Sequence, residues 1–135
     1  DLTADGTVES WIPHCPGVVS TARTDDPNSA TTQFFLMRQT SDHLDKAYTA
    51  WGRVVKGLDV VRAIKAGPEA FNGAVRRDPD QLTSTALASD LKGDDRIEVY
   101  VARTDTPEWA ARLEEADRAG TNICDLPPVA AIVGR

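Results

Sequence analysis

Gly17-Val18-Val19-Ser20-Thr21-Ala22-Arg23 and, ten residues on, Gln33-Phe34-Phe35-Leu36-Met37-Arg38 decide how this chain is read. The first run is short and β-branched, and such side chains fit a pleated surface, so it reads as a buried strand. The second is apolar through its middle and reads as a strand covered on both faces. Between them Asp25-Asp26-Pro27-Asn28-Ser29 carries loop chemistry: Asp, Asn and Ser bond their own backbone, and Pro presets a turn. Outward from this pair, residues 39–46 form a polar loop, and Ala50-Trp51-Gly52-Arg53-Val54-Val55 is a third strand closed by Lys56-Gly57. Leu58, Val61, Ile64 and Lys65 fall at helical spacing, which predicts a short amphipathic helix over 58–66, ended by Gly67-Pro68.

The flanks are weaker. Residues 1–16 read as a loop or short hairpin around the Asp5-Gly6 turn signal. Residues 71–95 carry little pattern and read as an irregular excursion. Residues 96–102 alternate charged and apolar side chains, the period of a half-exposed strand. Thr106 as N-cap and Pro107 at the first helical position open a second helix, with Trp109, Leu113 and Ala116 as its stripe and Gly120 as its stop. The tail, 127–135, is apolar and extended. The chain is therefore expected to be mainly β with two short helices.

The chain has 135 residues, 15 Lys+Arg and 21 Asp+Glu, for a formal charge of −6. One domain fits that length. With 41% hydrophobic and 27% charged residues, wholesale disorder is excluded. An acidic balance argues against a nucleic-acid clamp, and no apolar run reaches the roughly 18–20 residues of a membrane span. The sequence opens at Asp1 without an initiator Met or a signal peptide, as a processed or excised piece would.

Reactive constellations are scarce. No GxSxG elbow and no Gly-rich phosphate loop occurs, and the acid pairs Asp25-Asp26, Asp94-Asp95 and Glu114-Glu115 read as solvated surface. Cys15 has only His14 beside it, and Cys124 lies far away, so no metal spacing is present and neither metal nor cofactor is expected. The cysteines read either as two buried thiols or as one bridge closing a loop of about a hundred residues. A bridge would imply a periplasmic or secreted protein, and free thiols a cytoplasmic one.

More informative is an aromatic set with polar neighbours: Gln33, Phe34, Phe35, Leu44, Tyr48 and Trp51. Side chains alternate along a strand, so Gln33 and Phe35 share one face and Phe34 and Leu36 the other. An amide beside a flat apolar ring could grip a peptide and its apolar side chain together.

The runs from Gly17 to Arg23 and from Asn28 to Phe35, then His43-Leu44-Asp45, then the run from Ala50 to Val61, resemble the cyclophilin family of peptidyl-prolyl isomerases in order and spacing. The Ser29-x-x-x-Gln33-Phe34-Phe35 core carries most of the likeness. The resemblance implies a cyclophilin-like antiparallel β-barrel with capping helices. This chain would supply its C-terminal half over residues 1–104, with 105–135 as a helical and extended C-terminal extension packed on it. It implies a groove for proline-containing peptides or unfolded proteins. Phe35 and Leu44 would line the proline pocket, Gln33 would bond substrate backbone, and Ala22, Arg23 and Thr24 would form the wall. Tyr48 stands where many members carry His, and His43 where several carry Trp.

In the family, an Arg within a Phe-His-Arg motif, followed by a Gln-Gly-Gly-Asp stretch, assists rotation about the prolyl amide. This chain contains neither motif. The expectation is thus an isomerase that needs an N-terminal half not in this chain, either supplied by a second polypeptide or lost. A non-catalytic peptide-binding module is the alternative, and an activity residing after Val61 the weakest reading.

Overall fold

The computed structural model describes residues 2–134; Asp1 and Arg135, the ends of the expected N-terminal loop and tail strand, lie outside them. The centre of the molecule is β1 (Val18–Thr21), flanked by β2 (Phe34–Leu36) and β3 (Ala50–Arg53) in the antiparallel order β2-β1-β3. Ser20 therefore sits in register with Phe35 on one side and Ala50 on the other. A register irregularity between Val19 and Ser20 marks a bulge against β3. Being central, β1 is buried as expected, and Val18, Val19, Met37 and Val61 make up the aliphatic core.

Gly17 leads into β1 with φ of +86°; its N–H donates to the Met37 carbonyl at 2.8 Å and its carbonyl accepts from the Val54 N–H at 2.7 Å. A side chain would strain that left-handed link between two strands. After β3, Gly57 starts α1 (Leu58–Ala63), which turns Val61 into the core. The helix stops short of the expected residue 66. Ile64 is already extended, and Lys65 bonds elsewhere: its backbone N–H meets an Asp80 carboxylate oxygen at 2.7 Å and its ammonium meets Asp78 at 2.7 Å. The following loop folds tightly on itself. The Gly67 N–H reaches the Gly73 carbonyl at 2.9 Å, and a Cβ on Gly67 would lie 2.1 Å from the Ala74 carbonyl oxygen.

Residues 72–95 are irregular apart from short 3-10 turns at Ala88–Asp90 and Gly93–Asp95. β4 (Glu98–Val101) then pairs antiparallel with β5 (Ala131–Gly134), with α2 (Pro107–Arg118) between them. Thr106 caps α2 by accepting from the Trp109 N–H at 3.3 Å, and Gly120 follows with φ of +65°. This second sheet joins residues on both sides of the expected 104/105 boundary.

Two covalent or polar links hold the tail to the first sheet. Cys15 and Cys124 form a disulfide across 109 residues, their Cα atoms 4.9 Å apart. Arg53 of β3 donates to the Val129 carbonyl at 2.5 Å.

Two expectations need correction. Among the described residues the strands form two separate sheets and close no barrel. Nor is β2 covered on both faces: it is an edge strand, and Phe34 is 50% exposed, resting edge-on against Trp51 (61% exposed) at 6.5 Å between ring centroids. The apolar run that suggested cover is instead an exposed aromatic pair. The same pattern recurs at Val60, Tyr100 and Ile132. The accessible surface is 10843 Å², whereas a compact chain of 14.6 kDa has about 6,900 Å². The difference, roughly 3,900 Å², is surface that a globule of this mass would bury.

Candidate functional site

On the other face of β2, Phe35 is partly buried and held by two rings. Tyr48 meets it edge-on at 5.7 Å and 82°, and His14 stacks on it at 6.0 Å and 16°. Both arrangements match the ring quadrupole preference for offset or edge contacts. Tyr48 is placed by the turn that precedes it: its N–H donates to the Leu44 carbonyl at 3.1 Å, directly after the 3-10 turn Asp42–Leu44.

Arg23 closes the wall. Its guanidinium carbon lies 5.0 Å from the Tyr48 ring centroid, its Nε donates to the Ala47 carbonyl at 2.8 Å, and one Nη donates to the carbonyls of Thr24 and Asp25 at 2.8 and 3.3 Å. Thr24 is fixed from the loop side, its N–H donating to the Ser29 hydroxyl at 2.8 Å. The Ala22 N–H donates to the Gln33 carbonyl at 2.9 Å, extending the β1–β2 ladder.

Of the residues the sequence singles out, Ala22 and Gln33 thus pair beside Phe35 on the β1–β2 ladder, Arg23 and Phe35 both meet Tyr48, Thr24 follows Arg23, and Leu44 accepts from the Tyr48 N–H. The Gln33 side chain is exposed and, among the described residues, makes no hydrogen bond. His43 is exposed on its 3-10 turn, likewise without a side-chain bond among the described residues. The cluster forms one wall and not an enclosed pocket. One concavity of about 500 Å³ lies elsewhere: Glu9, Trp11, Asp42, Asp45 and Cys124 are among the residues that line it, and none of the wall residues does. It is an open cleft beside the disulfide.

Sequence reasoning missed the group behind the wall. His14 is 1% exposed and Ser20 is fully buried. One Asp45 carboxylate oxygen accepts from both the His14 backbone N–H and Nδ1, each at 2.8 Å, while Nε2 lies 3.0 Å from the Ser20 hydroxyl. A carboxylate only accepts, so Nδ1 carries the proton, and in the neutral ring Nε2 accepts from Ser20. Desolvation opposes ionisation of Asp45, but the hydrogen bonds from the His14 ring, the His14 backbone and Trp11 outweigh it and hold its pKa below the usual carboxylate value. Asp45 is 31 residues from His14, a separation that leaves no local signal in the sequence.

Arginine placement bears on the missing motif. Arg23 is committed to three carbonyls, Arg38 donates to the Arg62 carbonyl at 2.5 Å, and Arg53 to that of Val129. Each acts as a structural tie. Among the described residues, no group of three or more His, Cys, Asp or Glu side chains is placed to hold a metal, and no helix is long and apolar enough to cross a membrane.

The sequence model of the cyclophilin type peptidyl-prolyl cis-trans isomerase family matches residues 3–86, which contain the whole wall and the three-stranded sheet. The chain belongs to the cyclophilin family. Among its relatives is a probable peptidyl-prolyl cis-trans isomerase of Brucella abortus, 42% identical over 92 residues, covering 68% of this chain and 45% of the relative. A peptidyl-prolyl cis-trans isomerase of Arabidopsis thaliana is 31% identical over 74 residues, 55% of this chain and 33% of the relative. In structure the chain resembles the crystal structure of a cyclophilin from Hirschia baltica, with a TM-score of 0.76 and 44% identity over 97% of this chain and 47% of that one. The chain spans about half the length, or less, of the relatives it matches. As a cyclophilin chain, it holds the Phe35 ring between Tyr48 and His14 and contains no Phe-His-Arg run.

Proposed function

We propose that this chain carries the substrate-binding wall of a cyclophilin-type peptidyl-prolyl cis-trans isomerase, which takes proline-containing peptides or unfolded proteins at Phe35. The observation that carries the reading is the Phe35 ring, steadied by Tyr48 and His14 beside the β1–β2 ladder. A flat apolar ring offers a proline pyrrolidine a contact surface, and the exposed Gln33 amide offers a substrate carbonyl a donor. Leu44 and the backbone of Ala22, Arg23 and Thr24 extend the groove.

The chemistry is conformational. Rotation about X-Pro faces a barrier of roughly 20 kcal/mol from amide resonance. A wall that fixes the ring while the preceding carbonyl swings favours the twisted amide, and a donor near the prolyl nitrogen lowers the barrier further. With Arg23, Arg38 and Arg53 tied to carbonyls, that donor comes from complementary strands outside these 135 residues. Those strands would complete a barrel, and the roughly 3,900 Å² of surplus surface and the exposed Phe34–Trp51 pair support such cover. A contiguous segment of a longer chain meets that need as well as the second polypeptide expected from the sequence. The disulfide supports a periplasmic or secreted location.

A cis/trans assay on an Ala-Pro peptide tests the reading, run on the 135-residue chain alone and on the completed domain. The completed domain should accelerate isomerisation and the lone chain should not. Full turnover by the lone chain would overturn the assignment of the donor to other strands. An inactive completed domain that still binds the peptide would favour the binding-module reading, which the absence of the Phe-His-Arg motif keeps in view.

A further inference from the structure

We propose that His14 is a positioning residue for the prolyl subsite: its imidazole, clamped between Asp45 and Ser20, sets the tilt of the Phe35 ring that the substrate proline meets. The substrate half of this inference rests on the isomerase reading; the ring geometry does not.

The argument starts from what a core normally places behind an aromatic ring. Leu or Phe would fill the space without desolvating polar atoms, so a buried imidazole is costly unless both nitrogens are satisfied. Here both are, by Asp45 at 2.8 Å and Ser20 at 3.0 Å. An aliphatic side chain chooses its rotamer by packing alone, whereas this ring is held at both of its nitrogens. Its plane lies 16° from the plane of Phe35, so the constraint passes to the substrate-facing ring.

The clamp also ties three separate parts of the wall together. Ser20 belongs to β1, Phe35 to β2, and Asp45 to the loop between Leu44 and Tyr48. The His14 carbonyl accepts from the Ser41 N–H at 3.2 Å, adding a tie to the start of the 3-10 turn that leads into that loop. Tyr48 then meets Phe35 from the other direction. Loosening His14 therefore frees Phe35 and the loop that carries Leu44 and Tyr48 at once.

A pocket floor that holds proline alike in the ground state and in the twisted state changes KM and leaves kcat alone. Asp45→Asn and His14→Asn in the complete isomerase should raise KM for an Ala-Pro peptide roughly two- to tenfold, the range expected of one aromatic contact, with kcat nearly unchanged. A role confined to stability predicts the opposite split, since a smaller folded fraction lowers apparent kcat at constant KM; that result overturns the proposal. The second readout is independent of activity: 4-fluorophenylalanine incorporated at position 35 and followed by ¹⁹F NMR. The resonance should shift and broaden in both variants, and an unchanged resonance overturns the proposal. If the unsubstituted protein fails to isomerise the peptide, the functional reading falls, and the ¹⁹F resonance still decides whether His14 positions Phe35. If His14→Asn does not fold, Asp45→Asn decides alone, because it leaves the imidazole in place and weakens only its clamp.

Discussion

Reduction of the Cys15–Cys124 disulfide tests how this thin core is held. The bridge spans 109 residues, and in the chain-entropy treatment closing a loop of that length removes about 16 cal/mol/K from the unfolded ensemble, or about 4.8 kcal/mol at 25 °C. Stabilities of ordinary domains run about 5–15 kcal/mol, so the loss is a large share of what four buried aliphatic side chains can sustain. At about 2.1 cal/mol/K per residue, 135 residues give an unfolding entropy near 0.28 kcal/mol/K, and the bridge is then worth about 17 °C in Tm. The assay is thermal and urea unfolding by far-UV circular dichroism on oxidised protein, reduced protein and the Cys15→Ser/Cys124→Ser variant. The two bridge-free forms should agree and should melt well below the oxidised form. A Tm drop of less than about 5 °C would refute the reasoning, because it would mean the unfolded chain is already compact enough for the bridge to restrict little.

Gly67→Ala should destabilise by about 1–3 kcal/mol, because the new Cβ meets backbone that no rotamer change can move, and thermal melts would show it as a drop of roughly 4–10 °C. Thr106→Ala removes the α2 cap and should cost about 1 kcal/mol, measured as a lower urea midpoint at constant slope. Asp45 has its pKa lowered in the folded state, so its contribution is present above the unfolded carboxylate value near 3.9 and is lost as pH falls through the folded value. Urea midpoints recorded from pH 6 downward should therefore fall below about pH 4, and the fall should be shallower in Asp45→Asn.

Local chemistry was legible wherever it is local. The β-branched run at Val18 and Val19, the Thr106-Pro107 helix start and the alternation from Ile97 to Val101 each produced the element they signal. The pairing of Phe35 with Tyr48 joins two rings that the sequence already singled out, fourteen residues of chain from first to last. Burial was not. Whether Phe34 is covered depends on what lies across the sheet, and a strand's own sequence does not distinguish an edge from a centre. The His14 clamp was hidden for a related reason: its partners sit 6 and 31 residues away, joined only once β1 and the turn before Tyr48 are folded. Of the antiparallel barrel that the family likeness implied, the described residues show two separate sheets, because which strands pair is set by long-range contacts that no strand's own sequence carries.

The surplus surface has a calorimetric consequence. Heat capacity rises on unfolding because apolar groups become hydrated, at about 0.45 cal/K/mol per Å², less about 0.26 for polar groups. Roughly 3,900 Å² that is already wet in the folded chain contributes nothing to that rise. At the usual 55–60% apolar share, the shortfall is near 0.6 kcal/mol/K, about a third of the value typical for this length. The stability curve of the chain by itself should accordingly be flat, with a broad maximum and gradual flanks. Association with complementary strands would restore the missing curvature as a negative heat capacity of binding.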